Sequence, residues 1–184
     1  FTSVGNQAFR DCINLQSVDI SLNSSLSLGS GTISTFAFRD CSNLSSVTMN
    51  TNVETIAFGA FLGNKSLTSV VIPTSVTTIG QVAFQLSSNL SHVVIHSDVD
   101  QKNNAFGQIA SNPSLYYYDT TSKTYYVGTL DSYNKIVKTD QEVTDASVIT
   151  SNSDITDANL TNAGYNTITT GTPVSTTPYK CTYT

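Results

Sequence analysis

Apolar positions recur along the first two-thirds of the chain in a fixed phrase: Ala-Phe, five residues, then Leu-x-x-Val-x-Ile. Ala8-Phe9 leads to Leu15, Val18 and Ile20, and Ala37-Phe38 to Leu44, Val47 and Met49. Ala60-Phe61 leads to Leu67, Val70 and Ile72, and Ala83-Phe84 to Leu90, Val93 and Ile95. The Phe anchors stand 29, 23 and 23 residues apart. A period in the twenties marks a solenoid, whose turns bury their apolar sides only by stacking on neighbours. The Val and Ile two apart predict a strand with both side chains in the core and the intervening residues outside. The Ala-Phe stretch, preceded by Gly5 or Gly80, predicts a short helical or 3₁₀ turn with the Phe filling the coil.

The first repeat is six residues longer than the others, which predicts a protrusion within residues 21–32. A degraded fifth copy starts at Ala105-Phe106, with its Leu late, at Leu115, after Pro113. Tyr116-Tyr117-Tyr118 and Tyr125-Tyr126-Val127 flank a polar stretch and predict a hairpin. Terminal repeats must cover an open apolar end, and tyrosine suits that boundary with its ring in the core and its hydroxyl in water. The expected organisation is therefore a repeat array over 1–115, a cap hairpin over 116–138 and a Thr/Ser/Asn-rich segment over 139–184. In that segment Ser153 to Gly164 predicts one short helix, and residues 167–169 and 179–183 predict strands. It reads as a small accessory β module, part of a linker, or an assembly arm.

Composition narrows the function. Charged residues make 11% of the chain and the formal net charge is −5. Arg10 and Arg39 are the only arginines, so no basic stripe exists to hold nucleic acid. No apolar run reaches membrane-spanning length. No signal peptide is visible. The chain opens at Phe1, partway through a repeat, and reads as a piece of a longer or processed polypeptide. Three cysteines leave at least one unpaired. Cys12 and Cys41 share one repeat position and are expected to be buried thiols in adjacent turns, with a disulfide between turns as the alternative. Cys181 has no assigned role. No C-x-x-C or Cys/His cluster predicts a metal, and no cofactor is implied.

The motifs resemble the BspA-like, or Treponema pallidum type, branch of the leucine-rich repeat proteins. Its pattern runs I-P-x-S-V-T-x-I-G-x-x-A-F-x-x-C-x-x-L-x-x-V. Residues 72–84, Ile72-Pro73-Thr74-Ser75-Val76-Thr77-Thr78-Ile79-Gly80-Gln81-Val82-Ala83-Phe84, follow it nearly throughout. Phe9-Arg10-Asp11-Cys12-Ile13-Asn14-Leu15 and Phe38-Arg39-Asp40-Cys41-Ser42-Asn43-Leu44 supply the cysteine part. Copies three and four carry Asn64 and Ser87 at the cysteine step, which makes that column structural and substitutable. The resemblance covers about residues 2–115. It implies a β-rich α/β repeat solenoid, a right-handed arc with one parallel strand per turn. It also implies a secreted or surface-attached adhesion or binding module.

Outward strand positions form columns: Ser17, Asp19 and Ser21; Ser46, Thr48 and Asn50; Ser69, Val71 and Pro73; His92, Val94 and His96. The ligand-binding candidates are Ser46, Thr48, Asn50, Ser69, Val71, His92, Val94 and His96, with the change from hydroxyls to Val and His pointing to an adhesive patch near turns three and four. On a strand His92 and His96 stand about 13 Å apart, too far to share one ion. Asn14, Asn43 and Asn89 precede the repeat Leu and are expected to stack their amides. Asn23, Asn43, Asn64, Asn89 and Asn159 fit the N-x-S/T pattern, which a Ser/Thr/Asn-rich chain makes by chance. Arg10-Asp11 and Arg39-Asp40 predict a surface ion-pair ladder of about 0–1 kcal/mol per pair. With two histidines on one strand, no catalytic triad can be built.

The function expected from these features is an extracellular, non-enzymatic module that presents its sheet face to a protein or glycan on another cell or matrix. The alternative is a structural subunit of a surface filament or coat that self-associates through solenoid ends and the C-terminal segment. An accessory arm of an enzyme whose catalytic domain lies elsewhere is a third reading.

Overall fold

The computed structural model describes residues 4–20, 31–143, 149 and 157–165. The coils of the chain supply strands to two sides of the stack. One side carries β1 (Ser17–Asp19), β3 (Ser46–Thr48), β5 (Ser69–Val71), β7 (His92–His96) and β9 (Ser114–Asp119), with β1–β3 and β5–β7–β9 in separate sheets. The two-residue strands β2 (Thr32–Ile33), β4 (Thr55–Ile56), β6 (Thr78–Ile79) and β8 (Asp100–Gln101) form the other. After β9 the chain continues as β10 (Thr124–Leu130), β11 (Ile136–Glu142) and α1 (Asp157–Asn162). The pairing orders are β1-β3, β11-β10-β9-β7-β5 and β2-β4-β6-β8.

Register follows the repeat. Val18 faces Val47, Val70 faces Val93 and Val93 faces Leu115. Leu115 thus fills the valine column of the fifth turn, at the same spacing from Phe106 as Val93 from Phe84. The expectation of a delayed repeat leucine there is corrected. Ile33, Ile56 and Ile79 stack in the second ladder.

The phenylalanine spine forms as expected. Phe9, Phe38, Phe61, Phe84 and Phe106 stack with every centroid separation at 5.2 Å and planes within 7° of parallel. That separation lies inside the range favoured for offset aromatic pairs. Phe38, Phe61, Phe84 and Phe106 are buried, whereas Phe9 is 43% exposed because only one turn covers it.

The Ala-Phe segments are chains of turns rather than the helical or 3₁₀ piece expected. Alternate N–H groups serve different partners. Ala37 N donates to Ser34 O within its own turn, while Phe38 N donates to Ala60 O of the next at 2.8 Å. Phe61 N to Ala83 O and Phe84 N to Ala105 O repeat the bond at 2.8 Å. Left-handed residues recur four apart, as at Phe36 and Asp40 or Val82 and Leu86. They turn half of the amides outward along the stack, and the resulting ladder offsets the left-handed strain of roughly 1–2 kcal/mol per residue. Gly80 serves a different need. A Cβ there would stand 2.6 Å from Phe58 N of the previous turn, so only glycine permits the approach.

The far end is closed by mimicry. The β10–β11 loop supplies Tyr133 O to Asn104 N at 2.7 Å and Asn134 O to Phe106 N at 3.1 Å, standing where another repeat would stand. Gln101 replaces the column isoleucine, and its amide exchanges two 2.7 Å bonds with the backbone of Ile136. The predicted hairpin is β9–β10, with Asp119 Oδ1 accepting from Thr121 N and Ser122 N in the turn. The third strand β11 extends that sheet through 138 to Glu142.

The expected helix is observed over Asp157–Asn162, with Gly164 left-handed after it. Its expected start at Ser153 lies outside the described residues, as do residues 21–30 of the expected 21–32 protrusion, the strands at 167–169 and 179–183, and Cys181.

Several smaller expectations change. Cys41 is buried and its thiol donates to Phe9 O at 3.0 Å, but Cys12 is exposed, since no turn covers it; both are free thiols. Burial raises the Cys41 thiol pKa above its ordinary value. Asn14, Asn43 and Asn89 are exposed and form no amide stack. Asn64 instead lies in the cysteine column, fully buried, with neither amide atom hydrogen-bonded. The Arg10–Asp11 and Arg39–Asp40 pairs form within each turn, at 3.4 and 2.9 Å.

Candidate functional site

The outer face of the β1–β9 ladder carries every candidate residue, and the face divides in two. In turns one and two, Ser17 and Asp19 are exposed and Ser46 and Thr48 half-buried. Asn50, at the edge of this part, is buried. In turns three and four, Ser69, Val71, His92, Val94 and His96 are all buried. Strand alternation does point them away from the phenylalanine spine: Val71 and Val94 belong to a second apolar cluster, separate from the main core. The expectation that they meet solvent is corrected.

What covers Val71, His92 and Val94 is the C-terminal segment. Ile149, Leu160, Ala163 and Tyr165 pack with Val71, Val94, Tyr116 and Tyr118, with Tyr125 and Val143 at the margin. The contact has polar ties as well. Ala163 O accepts from Thr74 N at 2.8 Å and from Thr74 Oγ1 at 3.2 Å. The Tyr165 hydroxyl donates to Ile72 O at 2.6 Å. The tyrosine rings of 118, 125 and 165 pack against one another at 4.7 to 6.1 Å between centroids.

The two histidines are buried on this face without sharing a ligand, and His92 touches the cover. His92 Nε2 lies 3.0 Å from Ile149 O, which fixes the proton on that nitrogen. His96 Nδ1 accepts from Asp98 N at 3.3 Å, so its proton resides on Nε2, which is buried without a hydrogen-bond partner. The backbones of Pro73 and Val76 favour the charged form of this imidazole. Burial lowers the pKa of both imidazoles; the Ile149 carbonyl opposes the shift at His92, and the Asp98 carboxylate opposes it at His96. Hydroxyls of Thr120 and Ser97 hold Asp98 below the ordinary carboxylate range. Among the described residues no group of three His, Cys, Asp or Glu side chains could hold a metal ion.

Tyr165, Leu160 and Thr74 join this face without a sequence signal of their own. One signal was present: outward valines at 71 and 94, where turns one and two carry the polar Asp19 and Thr48. A solvated strand favours the polar side chain and a covered one the valine.

These features define a leucine-rich-repeat solenoid, with one Phe-centred coil per repeat and a continuous lateral face. Such scaffolds bind through extended surfaces. The description "BspA type Leucine rich repeat region (6 copies)" matches residues 1–112, and the chain belongs to that family. The match counts six copies where the Ala-Phe phrase picks out four clear ones and a degraded fifth. Members are generally surface adhesion and binding proteins. Searches of curated proteins and of solved structures returned no match. Among the described residues no helix is long and apolar enough to cross a membrane.

Proposed function

We propose that the chain is an extracellular, non-enzymatic adhesion module of a cell-surface protein, which presents the outer face of its repeat sheet to a protein or glycan. In this reading residues 1–115 are the binding array, 116–138 its cap and 139–184 an accessory segment. The observation that carries it is the in-register outer face, where Ser17, Asp19, Ser46 and Thr48 stand in adjacent strands with their side chains free of the core. Polar, weakly charged columns of this kind suit hydrogen bonding to a peptide edge or to sugar hydroxyls. Ser69, Val71, His92, Val94 and His96 extend the same face, with Val71, His92 and Val94 beneath the C-terminal segment.

The test is binding of the full chain to an array of purified extracellular-matrix proteins and glycans. Ser46→Lys with Thr48→Lys is expected to abolish captured signal, and Thr55→Lys on the other ladder to preserve it. Equal losses from both ladders would move the site off this face.

A second reading is self-association into a filament or coat. It is favoured by the first turn, where Phe9 is 43% and Ile13 57% exposed. Sedimentation at high concentration separates the two, because a strictly monomeric species eliminates assembly.

A further inference from the structure

The outer face of the sheet buries two imidazoles whose desolvation disfavours the charged form, opposed by the Ile149 backbone at His92 and by Asp98 and the backbones of Pro73 and Val76 at His96. His92 is flanked in register by Ser69 and Ser114, and its ring lies 5.0 Å from Tyr116. Its Nε2 hydrogen is committed to Ile149 O of the cover. His96 stands opposite Tyr118 in register, and Asp98 is the charged group acting on it. The described side chains of the cover, 149 and 160–165, contribute one titratable group, Tyr165, which packs on Tyr118 and Tyr125.

Protonation leaves the His92–Ile149 bond donating but places charge in a floor closed off from water. A proton on His92 must enter at Nδ1 and places a charge among serines, tyrosine and valine. A proton on His96 also enters at Nδ1, turning the acceptor of Asp98 N into a donor that faces another donor. A buried charge without a full set of partners is costly, and opening to water relieves it.

We propose that Ile149 and residues 157–165 form a displaceable cover over His92 and the second apolar cluster, which acidification releases, uncovering Val71, Val94, Tyr116 and Tyr118. The regulatory meaning rests on the reading of the sheet face as the binding surface; the opening itself does not. The sign follows from burial, which lowers both imidazole pKa values in the closed form. Below the ordinary value of about 6.5 the open form therefore holds more protons. Closure is complete above that pH and is lost as pH falls through the depressed values.

The test uses the full chain and no ligand. Amide exchange is measured at about pH 7.5 and about pH 5, either side of the ordinary imidazole value, with times scaled to intrinsic rates. The imidazole signals are titrated by NMR in parallel. We expect protection of residues 157–165 to be lost at the lower pH. The Phe61 and Phe84 amides are expected to stay protected. Opening should share its midpoint with the imidazole titration, and His92→Gln with His96→Gln should flatten it. Unchanged protection at the lower pH overturns the proposal, as does imidazole titration while the cover stays protected. A glutamine variant that is closed at the higher pH and still opens at the lower does so too. If the variant is open at both, the unmodified protein's titration decides. Because no binding is read, failure of the sheet-face reading leaves this result standing, and the converse holds.

Discussion

The hydroxyl of Tyr165 donates to the carbonyl of Ile72 across 93 residues of sequence, at 2.6 Å. Ile72 follows β5 with its side chain in the Phe core, while Tyr165 belongs to the second cluster. The bond therefore ties the cover to the repeat array. Tyr165→Phe keeps the ring and deletes the donor, leaving a buried carbonyl unpaired. We expect cover closure to weaken by about 1–3 kcal/mol, read as faster amide exchange over 157–165 with the repeat core unchanged. Unaltered exchange would mean the bond contributes nothing net.

Alkaline conditions attack the same cluster from the opposite side. Burial raises Tyr165 well above the ordinary phenol value, and burial also raises Tyr116 and Tyr118. A phenol whose folded pKa is raised gives stability that is present below about pH 10 and lost as pH rises through the folded value. Melting temperature is expected to fall above that pH. Tyrosinate absorbance should show a late group ionising together with the loss of structure. A single early wave covering every tyrosine would place these phenols in water.

Phe61 and Phe9 occupy the same repeat position with unequal neighbours. Phe61 is buried between Phe38 and Phe84; Phe9 touches Phe38 alone. Phe61→Ala is expected to cost about 3–5 kcal/mol, and Phe9→Ala about 1 kcal/mol or less, because much of its ring already meets water. Denaturant unfolding of the two variants measures the difference. Equal costs would show that the stack does not act through nearest neighbours.

The spine and the strand register were readable because each repeat states them again: Ala-Phe fixes the coil centre, and Val-x-Ile fixes which side chains face in. The turn chemistry was less so. Phe36 and Val82 are left-handed, and no residue type announces this, since the ladder to the next turn imposes it. The cover was hidden for a different reason. Its bonds span 57, 89 and 93 residues, and Leu160, Ala163 and Tyr165 carry no repeat that reports their target. Val71 and Val94 did report that something apolar lies outside the sheet, but an outer partner and an inner cover leave the same mark on a strand.

Asn64 is a position where the repeat is under-satisfied. The thiol of Cys41 and the hydroxyl of Ser87 each donate to the carbonyl of the phenylalanine one turn earlier. Asn64, between them in the column, is buried with both amide atoms unpaired. Asn64→Ser offers Phe38 O the donor that Ser87 offers Phe61 O. We expect a gain of about 1 kcal/mol, the loss of an unpaired buried amide outweighing the small void. A lower denaturation midpoint in the serine variant would mean that the amide's volume matters more than its hydrogen bonds.

Gly164 sets how closely the cover can seat. It follows α1 with φ of +86°, where a side chain is strained, and a Cβ there would collide with Thr74 Oγ1 and come within 2.9 Å of Thr51 Cγ2. Thr74 is the residue whose amide and hydroxyl hold Ala163 O, so the collision falls on the tie itself. Gly164→Ala is expected to weaken closure by roughly 1–2 kcal/mol from the left-handed backbone alone, with the steric term added. Gly5→Ala, whose Cβ would meet nothing within 4 Å, serves as the neutral control. The measurement is proteolysis within 157–165 against protection of the Phe61 and Phe84 turns. Accelerated cleavage of the cover over an intact array is the expected result. Loss of both together would instead make the cover an integral part of the solenoid's cooperative unit, too tightly coupled to be lifted alone.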